Sequence, residues 1–319
     1  MSEFLTVNKK KIYPGEKQVL KLNVARLPSG TVISLRIHVY RSKNPGPVML
    51  VMGGVHGDEI NGVEIVRRTI EDRLFENLNV GSVIAIPLLN IYGFIHFSRD
   101  VSEGKDVNRM FPGNMRGSLA SRVAATLTKR VLPAIDFGID FHTGGGSRYN
   151  YPQIRYSKGD EKAAELANIF AAPYLLCKAN IPKSLRKVAM GMKKPIIVYE
   201  GGESLRFDGL SIDNGLAGLK RVMYTHGMID EAPSPDYSPK IFNKTSWLRA
   251  SRSGIFLWWK ESGAKVEVGE PLGIINDPYG EFAVKVLAHR NGYIIGHNNA
   301  PVVSQGDALF HIGYDDAKG

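Results

Sequence analysis

The sequence predicts an α/β protein: a mainly parallel or mixed sheet with helices on both faces, followed by a smaller all-β region. Three observations carry this expectation. Apolar strand-like runs alternate with helix-period segments over roughly 180 residues, the pattern of a sheet sandwiched by helices. At 230–240 the composition turns to DEAPSPDYSPK, a proline-rich linker. Beyond it helical periodicity stops and short strands punctuated by glycine take over. The expected division is 1–46, an N-terminal β extension; 47–235, the α/β body; and 236–319, a C-terminal β domain.

The elements follow in order. In GTVISLRIHVYR (30–41), Ile33, Leu35, Ile37 and Val39 share one face of a half-exposed strand, with His38 on the other face. PVMLVM (47–52) is continuously apolar, as in a strand covered on both sides. After the glycine turn GGVHGDE, Val63, Val66, Ile70 and Leu74 recur at helical spacing, with Asn61 the expected N-cap. SVIAIPLLN (82–90) is a second buried strand, and a polar loop leads from it to about residue 117. SLASRVAATLTKRVLPA (118–134) reads as a helix and IDFGIDFH (135–142) as a strand. The set closes with helix 159–172, strand 174–179, short helix SLRKVAMGM, strand PIIVYE (195–200) and helix GLSIDNGLAGLKRVMYTHGMI.

The tail holds an internal repeat. Val266, Gly269, Glu270, Leu272 and Ile275 recur as Val303, Gly306, Asp307, Leu309 and Ile312, each 37 positions later. Two such halves predict a small pseudo-symmetric sandwich or barrel around one shared core. The pattern resembles the lipoyl/biotinyl hammerhead, whose carrier lysine sits at a hairpin tip. The corresponding tip here, NDPYGEF (276–282), has no lysine, and Lys285 belongs to the next strand. The domain is expected to pack over the active site or against another subunit of a homo-oligomer rather than to carry a swinging arm.

Composition excludes several classes. Hydrophobic content of 43% with 23% charged residues describes a globular chain, not a disordered or fibrous one. No apolar run approaches the ~20 residues that cross a bilayer, so no membrane partner is expected. The first residues lack the features of a secretory signal, and the one cysteine, Cys177, excludes an intramolecular disulfide and a Cys-based zinc site. A cytoplasmic protein is expected. The net charge of +10 comes without basic clusters interleaved with aromatics, the densest run being KKK at 9–11, so no nucleic acid is expected. A cleft that draws in small anionic substrates is the more specific use of that charge.

His56 and His142 stand apart from the other histidines. Each follows a predicted strand and precedes glycine-rich sequence, in HGDE and HTGGG. Parallel strands put their carboxyl ends on one rim, where ligands bind. His56, Glu59 and His142 can therefore converge across 86 positions of sequence. Two histidines and a carboxylate are a catalytic zinc set with one position left for water. Glu200, ending IIVYE, is the candidate general base, with Glu203 its competitor. In RDVSEGKDVNRMFPG (99–113), Asn108 and Arg109 offer planar donors to a substrate carboxylate. Arg99 is placed to meet a developing oxyanion, and Asp106 to accept the second N–H of an imidazole.

HGDE, DVNRMFPG, DFHTGG and YEGGE together resemble the succinylglutamate desuccinylase/aspartoacylase family, within the zinc carboxypeptidase-like hydrolases. The resemblance covers roughly 47–235, and the tail is similar to the C-terminal β domain of several members. It implies one zinc ion, Zn2+, per chain on His56, Glu59 and His142, with Asp106 behind the first histidine. It makes Glu200 the base that activates water and then protonates the leaving amine, and gives Asn108 and Arg109 the substrate carboxylate. The expected activity is hydrolysis of the amide of an N-acyl amino acid, a small molecule bearing a carboxylate. The alternatives are a zinc carboxypeptidase or murein-peptide amidase on the same centre, and a non-catalytic metal-dependent binding protein.

Overall fold

A mixed sheet of 13 strands organises the computed structural model, which describes residues 3–314. The chain opens with a small hairpin, β1 (Leu5–Val7) and β2 (Lys10–Ile12), then the long pair β3 (Lys17–Arg26) and β4 (Val32–Arg41). The body follows as β5 (Val48–Gly53), α1 (Ile60–Glu71), β6 (Ser82–Ile86), α2 (Ile91–Ile95), α3 (Leu119–Arg130), β7 (Phe137–Gly144) and β8 (Arg148–Ser157). It continues with α4 (Glu161–Phe170), β9 (Tyr174–Lys178), α5 (Leu185–Gly191), β10 (Ile196–Glu203) and α6 (Gly209–Thr225). The C-terminal region contributes β11 (Lys240–Phe242), β12 (Lys244–Arg249), β13 (Gly254–Trp258), β14 (Lys265–Val266) and β15 (Pro271–Asn276). It ends with β16 (Ala283–Leu287), β17 (Gly292–Asn298), β18 (Val302–Val303) and β19 (Ala308–Tyr314). Among the described residues no helix is long and apolar enough to cross a membrane.

The central strands β6, β5, β7 and β10 pair in parallel, in that spatial order. β4 adds antiparallel to β6 on one side, and β8 antiparallel to β10 on the other. The apolar runs explain the layering. Leu50 and Met52 point into a core beneath α3 and α5, while Met49 and Val51 point into the opposite core beneath α1, α4 and α6. Alternate residues of β5 thus feed different cores, which is why the run shows no polar alternation. Each fully buried side chain of that size stabilises by about 1.5–3 kcal/mol. The strand's place at the centre is therefore strongly specified.

Beyond β8 the same sheet runs on into the tail, through β17 and β19 to β12. The internal repeat becomes an exchange. β13 pairs with β15 of its own half and with β18 of the other, while β17 pairs with β19 and with β14. Val266, Leu272, Ile275, Val303, Leu309 and Ile312, the recurring apolar positions, lie together in one core. Lys285 lies within β16, away from the tip.

Candidate functional site

The strand β5 ends at Gly53, and seven residues later α1 begins, so His56 and Glu59 occupy the turn above the sheet's carboxyl rim. Asn61 does not cap this helix. The N-cap position belongs to Glu59, whose side chain makes no cap hydrogen bond. Fully buried Asn61 instead donates to the Gly201 carbonyl and accepts from the Asp208 backbone N–H, tying the turn to the exit of β10. Glu59 is thereby free to serve the site. Gly62 lets the start of α1 press on β7: a Cβ there would fall 2.4 Å from the Phe141 carbonyl oxygen. That close approach brings Glu59 beside His142.

The three residues converge. His56 Nδ1 lies 2.7 Å from Glu59 Oε1, His142 Nδ1 lies 2.8 Å from Glu59 Oε2, and the two Nδ1 atoms are 3.2 Å apart. One ligand atom from each falls within 4.8 Å of the others, and all three residues are buried. The outward nitrogens are spoken for: His56 Nε2 by Asp106 at 3.1 Å and His142 Nε2 by Asp140 at 2.8 Å. A carboxylate behind each ring holds the outward N–H, so that the ring, when neutral, presents its Nδ1 lone pair inward. The donor set fits a metal ion. Asp140 escaped the sequence reading, although its signal was present: in DFH two residues of separation put both side chains on one strand face.

Burial alone would make both imidazoles neutral, but their carboxylates outweigh it. Glu59 and Asp106 raise His56, and Asp140 with Glu59 raises His142 well above the ordinary histidine value. Burial likewise works to raise the Glu59 carboxyl, and the two rings hold it well below its usual range. Arg99 closes the ring, with Nη1 at 3.0 Å from Glu59 and Nη2 at 2.9 Å from Asp106. Asp106 also caps the short turn Val107–Arg109 by accepting from the Asn108 N–H. Asn108 and Arg109 both line the pocket, in different ways. The Asn108 carbonyl oxygen of the side chain accepts from Leu185 N–H at the start of α5, and Arg109 remains partly exposed beside it.

The cavity has a volume of about 450 Å³, and Glu200 stands in its wall with the three converging residues. Glu203 is elsewhere, accepting a hydrogen bond from Asn299. Of the two carboxylates, the one the sequence favours, Glu200, lines this pocket, and Glu203 does not. Both Glu200 oxygens are held: Oε1 by Arg155 at 2.9 Å and Oε2 by the Asn150 amide at 2.8 Å. Arg148, Arg155 and Arg186 add three guanidinium groups to the wall, and Trp247 of β12 adds an aromatic face. Burial, and then the neighbouring charge of Arg155, brings Arg186 down to about 10. These residues carry no local motif. They belong to the unread strand β8, to α5 and to the C-terminal region.

A model of the succinylglutamate desuccinylase/aspartoacylase catalytic domain matches residues 45–225. The N-alpha-acetyl-L-2,4-diaminobutyric acid deacetylase of Halomonas elongata is 25% identical over 284 residues, covering 84% of this chain and 82% of that protein. The product-bound structure of the ectoine utilization protein EutE (DoeB) from Ruegeria pomeroyi superposes with a TM-score of 0.84 at 22% identity, covering 94% of this chain and 95% of that one. A succinylglutamate desuccinylase/aspartoacylase from Rhodobacter sphaeroides gives 0.83 at 24%, covering 94% and 96%. The two structures establish the shared fold, and the domain match spans more than half of the sequence: this chain belongs to the succinylglutamate desuccinylase/aspartoacylase family.

Proposed function

We propose that this protein is a zinc-dependent hydrolase that cleaves the amide bond of an N-acyl amino acid. One observation carries the reading: His56, Glu59 and His142 converge in the wall of a pocket that also holds Glu200. His56, Glu59 and His142 would hold the zinc ion. When bound, zinc supplies Lewis-acid polarisation of the acyl carbonyl and makes water a nucleophile near neutral pH. Glu200 takes the proton from the attacking water and delivers it to the leaving nitrogen. Asn108 and Arg109 hold the α-carboxylate of the amino acid, the second by a two-pronged contact. Arg99, fixed by Glu59 and Asp106, faces the oxygen on which negative charge develops.

The wall also bears on the rest of the substrate. The Halomonas relative is named for a substrate with a second amine. Here Arg148 and Arg186 stand in the pocket wall, and a second ammonium would meet like charge. We therefore read the substrate as carrying a further anionic group, in its acyl or its amino-acid half. The C-terminal region, which supplies Trp247, serves as a cap that limits substrate size rather than as a carrier domain.

A panel of N-acyl aspartates, glutamates and diaminobutyrates, with C-terminal dipeptides alongside, tests this with zinc-loaded protein. Turnover of an acidic acylamino acid is expected, and preference for dipeptides would move the protein to the carboxypeptidases. Glu200→Gln should keep its zinc while kcat falls on the order of a thousandfold. An inert wild type that still binds zinc would point to a binding protein instead.

A further inference from the structure

We propose that Arg155 and Asn150 act together as a positioning clamp for Glu200. The inference rests on the reading of Glu200 as the proton carrier. A carboxylate on a strand end can rotate about its last bond, and proton transfer demands one orientation. Here each oxygen has its own fixed donor, the Arg155 guanidinium on Oε1 and the Asn150 amide on Oε2. With one lone pair on each oxygen used, the remaining pairs are held in a set direction.

The strand pairing shows how the clamp is built. Arg155 lies opposite Val198 and Gln153 opposite Glu200, so Arg155 reaches Glu200 along a diagonal on one face of the β8–β10 ladder. Regular pairing would leave Asn150 on the other face. Between Glu200 and Gly202 the register shifts, Tyr151 and Pro152 together opposing Gly201, and Asn150 comes into line with Gly202. Such a bulge re-aims a side chain by one position. On the far side of β8, Asn150 pairs with Gly296 of β17, where a Cβ would lie 2.9 Å from the Asn150 amide oxygen. The C-terminal region thus leaves the room that the amide occupies. Among the described residues Glu200 is the carboxylate that pairs with Arg155, and the Arg155 Nε is buried with no partner. Two further cations stand near it, Arg186 and Lys178, both lowered by burial and then by the charge of Arg155. The guanidinium therefore has one strong attachment, to Glu200.

The test uses the full chain loaded with zinc, on whichever acylamino acid the wild type turns over best. If the wild type turns over none, the proposed function fails and not the clamp alone. Arg155→Ala should lower kcat about a hundredfold while KM stays within about threefold and zinc content is unchanged. Arg155→Lys should restore part of the loss, and guanidinium added to the alanine variant should restore more. Asn150→Ala should cost about tenfold, and the double variant should fall little below Arg155→Ala, because the two donors serve one carboxylate. A raised KM with kcat preserved would make Arg155 a substrate ligand and overturn the proposal. Unchanged kinetics in both single variants would do the same. Should the alanine variant not fold, Arg155→Lys and Asn150→Ala decide by the same split of kcat from KM, with melting temperatures held near wild type.

Discussion

Two pairs of buried histidines lie along the same large sheet and differ in kind. His56 and His142 sit at its carboxyl rim, while His297 and His311 lie on β17 and β19 where the sheet enters the C-terminal region. Exposure does not separate them: 3% and 3% against 5% and 6%. Their neighbours do. The first pair is ringed by Glu59, Asp106 and Asp140. The second meets a serine hydroxyl and indole rings: Ser262 at 2.7 Å and Trp258 for His297, and a near-parallel Trp247 at 4.2 Å for His311. Burial lowers His297 to about 4, and burial with the charges of Arg155 and Lys178 lowers His311 well below its ordinary value. Burial by itself makes an imidazole a neutral packing group. Added carboxylates reverse the shift and fix the ring's orientation, as the proposed metal site requires.

The contrast is broken most severely at the donor triangle. His142→Ala takes away one of three donors, and zinc content should drop from one per chain to near none. Turnover should then fall by more than about a thousandfold, the several kcal/mol that a Lewis-acid centre supplies. His297→Ala should leave zinc content at one per chain. Metal analysis of both proteins is the check. A full equivalent of zinc in His142→Ala would end the claim that these nitrogens are ligands.

Acid stability probes the other pair. The folded value of about 4 for His297 lies below the unfolded 6.5, so the unfolded chain takes up the proton first. Stability is fully present above 6.5, falls as pH drops from 6.5 towards 4, and levels off below. For His297 the loss reaches about 3 kcal/mol, and His311 acts in the same direction. Urea unfolding between pH 7 and 5 should show this decline, and His297→Gln should flatten part of it. An identical slope in that variant would mean that Ser262 and the indole do not hold the ring neutral.

The two pairs also differ in how plainly the sequence announces them. His56, Glu59 and His142 were legible because short motifs marked strand ends, and a parallel sheet must gather its strand ends on one rim. The apolar runs gave β5 and β7 to within two residues at each end, and found β6 and β10 while carrying the first too far and stopping the second short. Strand β8 was not legible. Its sequence RYNYPQIRYS contains Pro152, which argues against a central strand. The bulge opposite Gly201 removes the objection, because a residue there has no ladder bond to lose. With β8 went Arg148, Asn150 and Arg155. Arg186 and Trp247 were hidden for another reason: an arginine on a short helix and an indole in a β tail become site residues only through contacts formed on folding. The helix cap failed similarly, since Asn61 has the right chemistry for an N-cap and was claimed by a partner 140 positions away.

The finest comparison removes a carboxylate and keeps its histidine. Asp140→Asn preserves shape and a hydrogen-bond acceptor for His142 Nε2 while deleting the charge. Outer carboxylates of this kind change metal affinity by roughly 10–100-fold. Where in that range the effect falls follows from how the charge is shared. Asp140 is almost wholly buried, and its second oxygen, Oδ1, has no partner, so its field acts on His142 undivided. Asp106 divides its charge between His56 and Arg99, with 16% of its side chain open to solvent. Asp140→Asn should therefore weaken zinc binding by close to a hundredfold and Asp106→Asn by nearer tenfold, read by competition with a chromophoric chelator at fixed pH. Equal losses would mean that the second hydrogen bond matters and the charge does not. No loss in Asp140→Asn would place the site histidines with His297 and His311, as rings whose neighbours merely fill space.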